Sequence, residues 1–93
     1  MKLATYTQQP SERYKRTAGY EEALDAGDTL ASIALKSVEP SGLTVNNLAN
    51  STTAISWWAN GGTDGTDYKA TFTVTTAAGE IFEDEVFYKI REV

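Results

Sequence analysis

The sequence contains neither cysteine nor histidine. Without cysteine the chain has no disulfide, no thiol nucleophile and no thiolate metal site, and such a composition fits a protein kept in a reducing cytoplasm. Without histidine the commonest general base and metal ligand near neutral pH is missing, and a Ser–His–Asp triad is impossible. We therefore expect no catalytic residues, no cofactor and no bound metal ion.

Long apolar runs are also missing. No stretch approaches the roughly 18 apolar residues that span a bilayer. The N-terminal segment MKLATYTQQP lacks the continuous apolar region of a secretory signal peptide. We expect a protein that does not enter a membrane and is not secreted by the general pathway.

Carboxylates are plentiful, but their spacing matches neither a catalytic pair nor a calcium loop. The run 83–85 is Glu-Asp-Glu, whose side chains alternate between faces if the segment is extended, whereas glycosidases hold two carboxylates across a cleft. The segment NGGTDGTD (60–67) lacks the EF-hand spacing and its closing glutamate. Its three glycines favour a wide hairpin loop over a metal site.

Period-two alternation dominates the sequence. In YKATFTVTT (68–76) apolar residues alternate with Lys and Thr, and AAGE (77–80) then leads into a second extended run, 81–93. We predict a hairpin here, with a bulge near 83–85 because Asp84 and Phe87 both interrupt the alternation. Further strands are predicted at 29–38, 43–45 and 54–59, with a polar connection over 46–52.

Six or seven short strands separated by turns predict an all-β fold. The expected architecture is an immunoglobulin-like antiparallel β-sandwich with an extended N-terminal arm. The chain is long enough for one core only. We expect residues 1–16 to be an arm or a weak edge strand, and residues 17–93 to form the single domain.

The formal net charge of −5 is unevenly distributed. Residues 1–16 hold four bases and one acid, whereas the remainder holds twelve acids and four bases. A solvated arm is the simplest interpretation, and an arm that orders against a protein partner is the next. Nucleic-acid binding is disfavoured because an acidic body repels phosphates.

Two adjacent tryptophans mark the strand 54–59. Neighbouring side chains in a strand point to opposite faces. Ile55, Trp57 and Ala59 form the more apolar face, so we expect Trp57 in the core and Trp58 outside. Trp58 is then covered by its own chain, contacts another chain, or serves as a sugar-stacking platform. The candidate partner interface comprises Tyr6, Arg13, Tyr14, Lys15, Arg16 and Trp58.

Several short segments resemble a known family. They are QPSER (9–13), AGDTLAS (26–32), VEPSGLTV (38–45), KIREV (89–93) and, most specifically, the block from Trp58 to Glu80. Together they are similar to small tailed-phage virion proteins of the fiber–tail adaptor type. The segment 14–28 departs from the pattern of that family, so the identity of the partner does not carry over.

This resemblance implies an immunoglobulin-like structural protein present in several copies per virion. It would lie at the neck or tail and link the tail or its adaptor ring to fibers. Its partners would be other virion proteins, with no nucleic acid and no membrane, and it would be made in the host cytoplasm. The alternative is a carbohydrate- or receptor-binding immunoglobulin-like module of the phage adhesion apparatus.

Overall fold

A computed structural model describes residues 1–93. The chain forms seven strands: β1 (Lys2–Gln8), β2 (Arg13–Gly19), β3 (Leu30–Glu39), β4 (Leu43–Asn50), β5 (Ala54–Gly61), β6 (Asp67–Thr76) and β7 (Ile81–Ile90). None of its segments forms a helix long and apolar enough to cross a membrane. The predicted strands at 29–38, 54–59, 68–76 and 81–93 correspond to β3, β5, β6 and β7.

The strands form the two sheets of a sandwich. One sheet has the order β1-β7-β6-β3 and the other has the order β2-β5-β4. The all-β sandwich is confirmed, but the expectation of a wholly antiparallel arrangement is wrong, because β1 runs parallel to β7. The chain crosses from one sheet to the other between β1 and β2. The first strand therefore forms no hairpin with the second and pairs with the last strand instead.

Residues 1–16 form β1 and the first part of β2. Each of these strands is the edge of its own sheet, and β1 is in register with β7, with Tyr6 opposite Tyr88. The Gln8 side chain, which is 2% exposed, ties β1 to the other sheet because its Nε2 donates to the Ala59 carbonyl at 2.9 Å. The boundary drawn between residues 16 and 17 falls inside β2.

The core lies between the sheets and follows the period-two alternation. Trp57 is 0% exposed, and its ring centroid lies 5.0 Å from that of Phe72. Its indole Nε1 donates to the Tyr88 hydroxyl at 2.8 Å, so the polar atom of this buried ring has a partner. The predicted burial of Trp57 is confirmed. Its neighbour Trp58 is half-buried on the outer face of the sheet.

The bulge predicted near 83–85 is absent from the pairing of β7 with β6, and the register shift there lies in β1, where Lys2 pairs with Glu85 and Ala4 with Val86. The register of β6 with β7 runs without a shift from Asp67 opposite Lys89 to Thr75 opposite Ile81. Asp84 therefore points into the core and is 3% exposed, and Phe87 lies on the opposite face. Strand β7 needs no bulge to turn Asp84 outward, because a residue distant in sequence satisfies the buried carboxylate: the Tyr20 hydroxyl donates to Asp84 at 2.5 Å.

Two segments were predicted to be connections between strands, and only the second of them is a loop. The polar run 46–52 mostly continues β4, which reaches Asn50 with a register shift between Asn46 and Ala49. Asn47 takes a φ of 50° there, a left-handed conformation that asparagine tolerates. Residues 62–66 form a loop, but it crosses from one sheet to the other, because β5 and β6 belong to different sheets, and the predicted hairpin loop is wrong. A side chain at Gly62 would place its Cβ 2.8 Å from Ile90 Cγ1. Packing therefore requires glycine at that position.

Candidate functional site

The six residues predicted to contact a partner come from three strands, with Tyr6 on β1, Trp58 on β5 and the others on β2. The alternation of β2 divides the set between two sides of its sheet. Lys15 lies opposite Trp58 and Arg16 lies opposite Trp57, so Lys15 faces outward and Arg16 faces the other sheet. The structure thus contains two clusters. The outer cluster is Arg13, Lys15 and Trp58, and the seam cluster is Tyr6, Tyr14 and Arg16.

The outer cluster lies on the exposed face of the β2-β5-β4 sheet. The Arg13 guanidinium carbon lies 4.2 Å from the centroid of the Trp58 ring, which is the geometry of a cation–π contact. Trp58 is therefore partly covered by its own chain, as one of the three interpretations predicted. A sugar would need a free face of this ring for stacking, so the position of Arg13 disfavours a carbohydrate platform.

The seam cluster lies where the edge strands of the two sheets approach each other. The Arg16 guanidinium carbon is 4.3 Å from the Tyr6 ring centroid and 5.0 Å from the Tyr14 ring centroid. Tyr6 in turn packs on Tyr88 with ring centroids 5.4 Å apart. The guanidinium is thus held by aromatic rings from two strands. Its Nε atom is buried and has no hydrogen-bond partner.

Glu12 belongs to this region but was not predicted. Its carboxylate accepts hydrogen bonds from the Gln9 backbone N–H at 2.8 Å and from the Tyr14 hydroxyl at 3.0 Å. The Gln9 bond, followed by the Tyr14 bond, lowers the pKa of Glu12, and the same hydroxyl contact raises the pKa of Tyr14. The signal available in the sequence was a turn: Pro10 lies between Gln9 and Glu12, whose backbone groups are 3.1 Å apart.

The cations of β2 lack the ion pairs with carboxylates that most other cations of the protein form. Lys36, Lys69 and Arg91 each lie within 4.0 Å of a carboxylate oxygen. No such ion pair forms at Arg13, Lys15 or Arg16. In a protein whose net charge is −5, these three positions place positive charge on both sides of one edge strand, with aromatic rings beside it, and this edge is suited to carboxylates.

Other candidate sites are weak. The largest cavity, of about 250 Å³, is a shallow depression on the outer side of the four-stranded sheet and contains none of the six residues. No group of three or more acidic side chains is placed to hold a metal ion. The loop 60–67 is instead held by protein contacts, since the Thr63 N–H donates to the Tyr68 hydroxyl at 2.9 Å.

Comparison with known proteins shows that the chain is similar to one protein family. A family model described as podophage GP4 fiber-tail adaptor protein gp77 matches residues 8–89 of the chain. The match includes β2 to β6 and all of β7 except Ile90, and it covers five of the six predicted interface residues. A search of curated proteins gives no match.

Proposed function

The chain belongs to the family of podophage GP4 fiber-tail adaptor protein gp77, and from that premise we propose that it contacts neighbouring virion subunits through its β2 surface. It is a non-enzymatic phage tail adaptor that links to the fibers, and it acts in the virion tail with other tail and fiber proteins. The β2 surface comprises the outer cluster and the seam cluster defined above.

One observation supports this surface above all. Three cations on a single edge strand lack carboxylate partners, and two of them are stacked on aromatic rings. Stacking restricts the side chains before a partner arrives, so less conformational entropy is lost on binding. Arginine and aromatic residues are also the side chains that most often anchor protein interfaces.

The family and the composition together support the remaining parts of the proposal. Several copies per particle would strengthen weak single contacts through avidity. Nucleic acid is not among the proposed partners, because the chain is acidic overall. No catalytic step is proposed, because the family is a structural one and the chain has no histidine or cysteine. Synthesis takes place in the host cytoplasm before assembly.

The test uses phage particles assembled with variant chains. Arg13→Gln combined with Lys15→Gln removes two unpaired cations from the outer cluster. Lys36→Gln combined with Lys89→Gln removes two exposed positive charges from the other sheet and serves as the matched control. Quantitative mass spectrometry of purified particles then measures this chain and the fibers.

We expect the β2 variant to lose both this chain and the fibers from the particle. The control variant should retain both at the wild-type level, because its net charge changes equally but its β2 surface is intact. Wild-type incorporation of the β2 variant would contradict the proposed contact surface. Thermal unfolding of both purified variants checks that each one folds.

A further inference from the structure

Two groups of side chains with opposite charge lie at opposite ends of strand β2. The cationic surface, Arg13, Lys15 and Arg16, lies on the first half of β2. The acidic end lies beyond the other end of that strand, in the loop after β2 and the turn between β6 and β7, and it comprises Glu21, Glu22, Asp25, Asp28 and Glu80. No lysine or arginine occurs between residues 17 and 35. The acidic end therefore has no cation of its own loop beside it.

The two charged regions cannot neutralise each other within one copy. The Glu21 carboxylate lies beside Gly19, which is four positions from Lys15 along β2, and this corresponds to about 13 Å at the rise of a β-strand. Exposed charges are largely screened beyond a Debye length of about 8 Å at physiological ionic strength. Each region is left to interact with something outside the copy that carries it.

The acidic end is an ordered structure. Tyr20 is buried at its base, where its backbone N–H donates to the Thr53 carbonyl at 2.7 Å. The Tyr20 carbonyl then accepts the N–H groups of Ala23 and Leu24 at 2.9 and 3.1 Å. Glu21 and Glu22 are exposed within this tight turn. Their carboxylates are therefore presented from a fixed backbone.

Hydrogen bonds join the loop and the turn of the acidic end, and the carboxylates of the two segments lie close together. Asp28 Oδ1 accepts the N–H of Thr29 at 2.8 Å and that of Ala78 at 3.1 Å, which connects the two segments. The Asp25 carboxylate, which accepts a hydrogen bond from protonated Glu80 and repels its ionised form, raises the pKa of Glu80, and the negative charge of Asp28 adds to this. A cationic surface placed here would relieve this repulsion.

We propose that the cationic surface of one copy binds the acidic end of a second copy of the same chain, head to tail. The proposal rests on the assignment of the β2 surface as the contact site in the proposed function. Arg16 suits a carboxylate of the second copy, because its planar fork lies against two tyrosine rings and forms no ion pair with a carboxylate of its own chain. A contact between two different surfaces of one chain closes into a ring when the rotation between copies permits.

The first experiment measures self-association of the purified full chain by sedimentation equilibrium. Protein concentrations extend to about 1 mM, the order of the effective concentration between tethered neighbours. At low salt we expect species larger than the monomer, and we expect added salt to return them to monomer. A wild-type chain that stays monomeric throughout would overturn the proposal.

The second experiment uses two charge-reversed variants. Arg13→Glu with Lys15→Glu reverses the cationic surface, and Glu21→Lys with Glu22→Lys reverses part of the acidic end. Each variant alone should associate far more weakly than the wild type, because it keeps only one of its two contact surfaces. The cationic surface changes from +3 to −1 in the first variant, and the acidic end changes from −5 to −1 in the second. An equimolar mixture should associate again, because the intact cationic surface of the second variant meets the intact acidic end of the first.

Restoration in the mixture separates a direct contact from loss of folding, because two misfolded chains do not rescue each other. Lys36→Glu with Lys89→Glu is the control and should associate like the wild type. Absence of rescue in the mixture would overturn the head-to-tail contact. If the wild type stays monomeric while particles still require Arg13 and Lys15, the proposed function stands and the partner is a different virion protein.

Discussion

Each face of strand β5 has one tryptophan, and the two side chains have different surroundings. Trp57, on the inner face, is fully buried and donates a hydrogen bond to Tyr88. Trp58, on the outer face, is half-buried and lies under Arg13. One indole is part of the core, whereas the other is part of a charged surface. The face on which a side chain lies, more than its chemical nature, decides whether it stabilises the fold or is available to a partner.

Strand β7 follows the same rule, but here the inward side chain is charged and the outward side chain is aromatic. Its charged residue Asp84 points inward and its aromatic residue Phe87 points outward. The regular register with β6 sets both directions. The inner face accepts a carboxylate only because Tyr20 donates to it, and Met1, whose amino group lies 3.3 Å from the same carboxylate, adds a charge contact. The inner face therefore tolerates polar atoms that have partners, and the outer face tolerates apolar rings that are partly covered.

The largest expected effect separates the two tryptophans. Trp57→Ala should lower the free energy of unfolding by about 3–5 kcal/mol, because it opens a cavity among Phe72, Tyr6 and Tyr88. Trp58→Ala should cost about 0.5–1 kcal/mol, the value of an exposed cation–π contact. Urea unfolding of both variants measures the difference. Equal losses of unfolding free energy in the two variants would contradict the distinction between the inner and outer faces of β5.

The next effect concerns the polar contact inside the core. Tyr20→Phe should lower the free energy of unfolding by about 1–3 kcal/mol, because it leaves the buried Asp84 carboxylate without its hydroxyl donor. Burial, together with the Asp84 contact, raises the pKa of Tyr20, so the hydroxyl stays protonated and donating over the range in which proteins are usually studied. Urea unfolding at neutral pH measures the loss.

Tyr14→Phe is the matched control for Tyr20→Phe. It removes a hydroxyl that also donates to a carboxylate, but this pair, Tyr14 with Glu12, is exposed. Water replaces the lost donor there, so the stability should change less than in Tyr20→Phe. If both substitutions cost the same, the Tyr20 contact has no special role in admitting Asp84 to the core.

The smallest effect is expected on the outer surface at the acidic end. Because neighbouring carboxylates raise the folded-state pKa of Glu80 above its unfolded value, the protonated form favours folding and the ionised form opposes it. The penalty is absent below the unfolded pKa and develops as pH rises through the folded pKa. Glu80→Gln should therefore raise Tm slightly at pH 7. The difference should disappear on acidification, and a pH-independent difference would contradict this cause.

The outer surface of the protein was only partly predictable. The sequence identified Arg13, Lys15 and Trp58 as candidates, but alternation predicted the outward direction of Trp58 only, and that of Arg13 and Lys15 depends on the register of β2 with β5. Glu12 was missed, because its role depends on a turn that brings its carboxylate to the Gln9 N–H and the Tyr14 hydroxyl. The stacking of Arg16 between Tyr6 and Tyr14 was also not foreseeable, since those rings belong to strands in different sheets.

The sequence by itself determined the all-β class, the β6–β7 hairpin and the opposite directions of Trp57 and Trp58. These features depend on alternation and turn residues, which act over a few positions of the chain. Only the tertiary structure decided that β1 pairs in parallel with β7, that β1 and β2 belong to different sheets, and that Asp84 lies inside with Tyr20. Those contacts join residues more than sixty positions apart, and local propensity carries no information about which distant partner will satisfy a strand edge or a buried carboxylate.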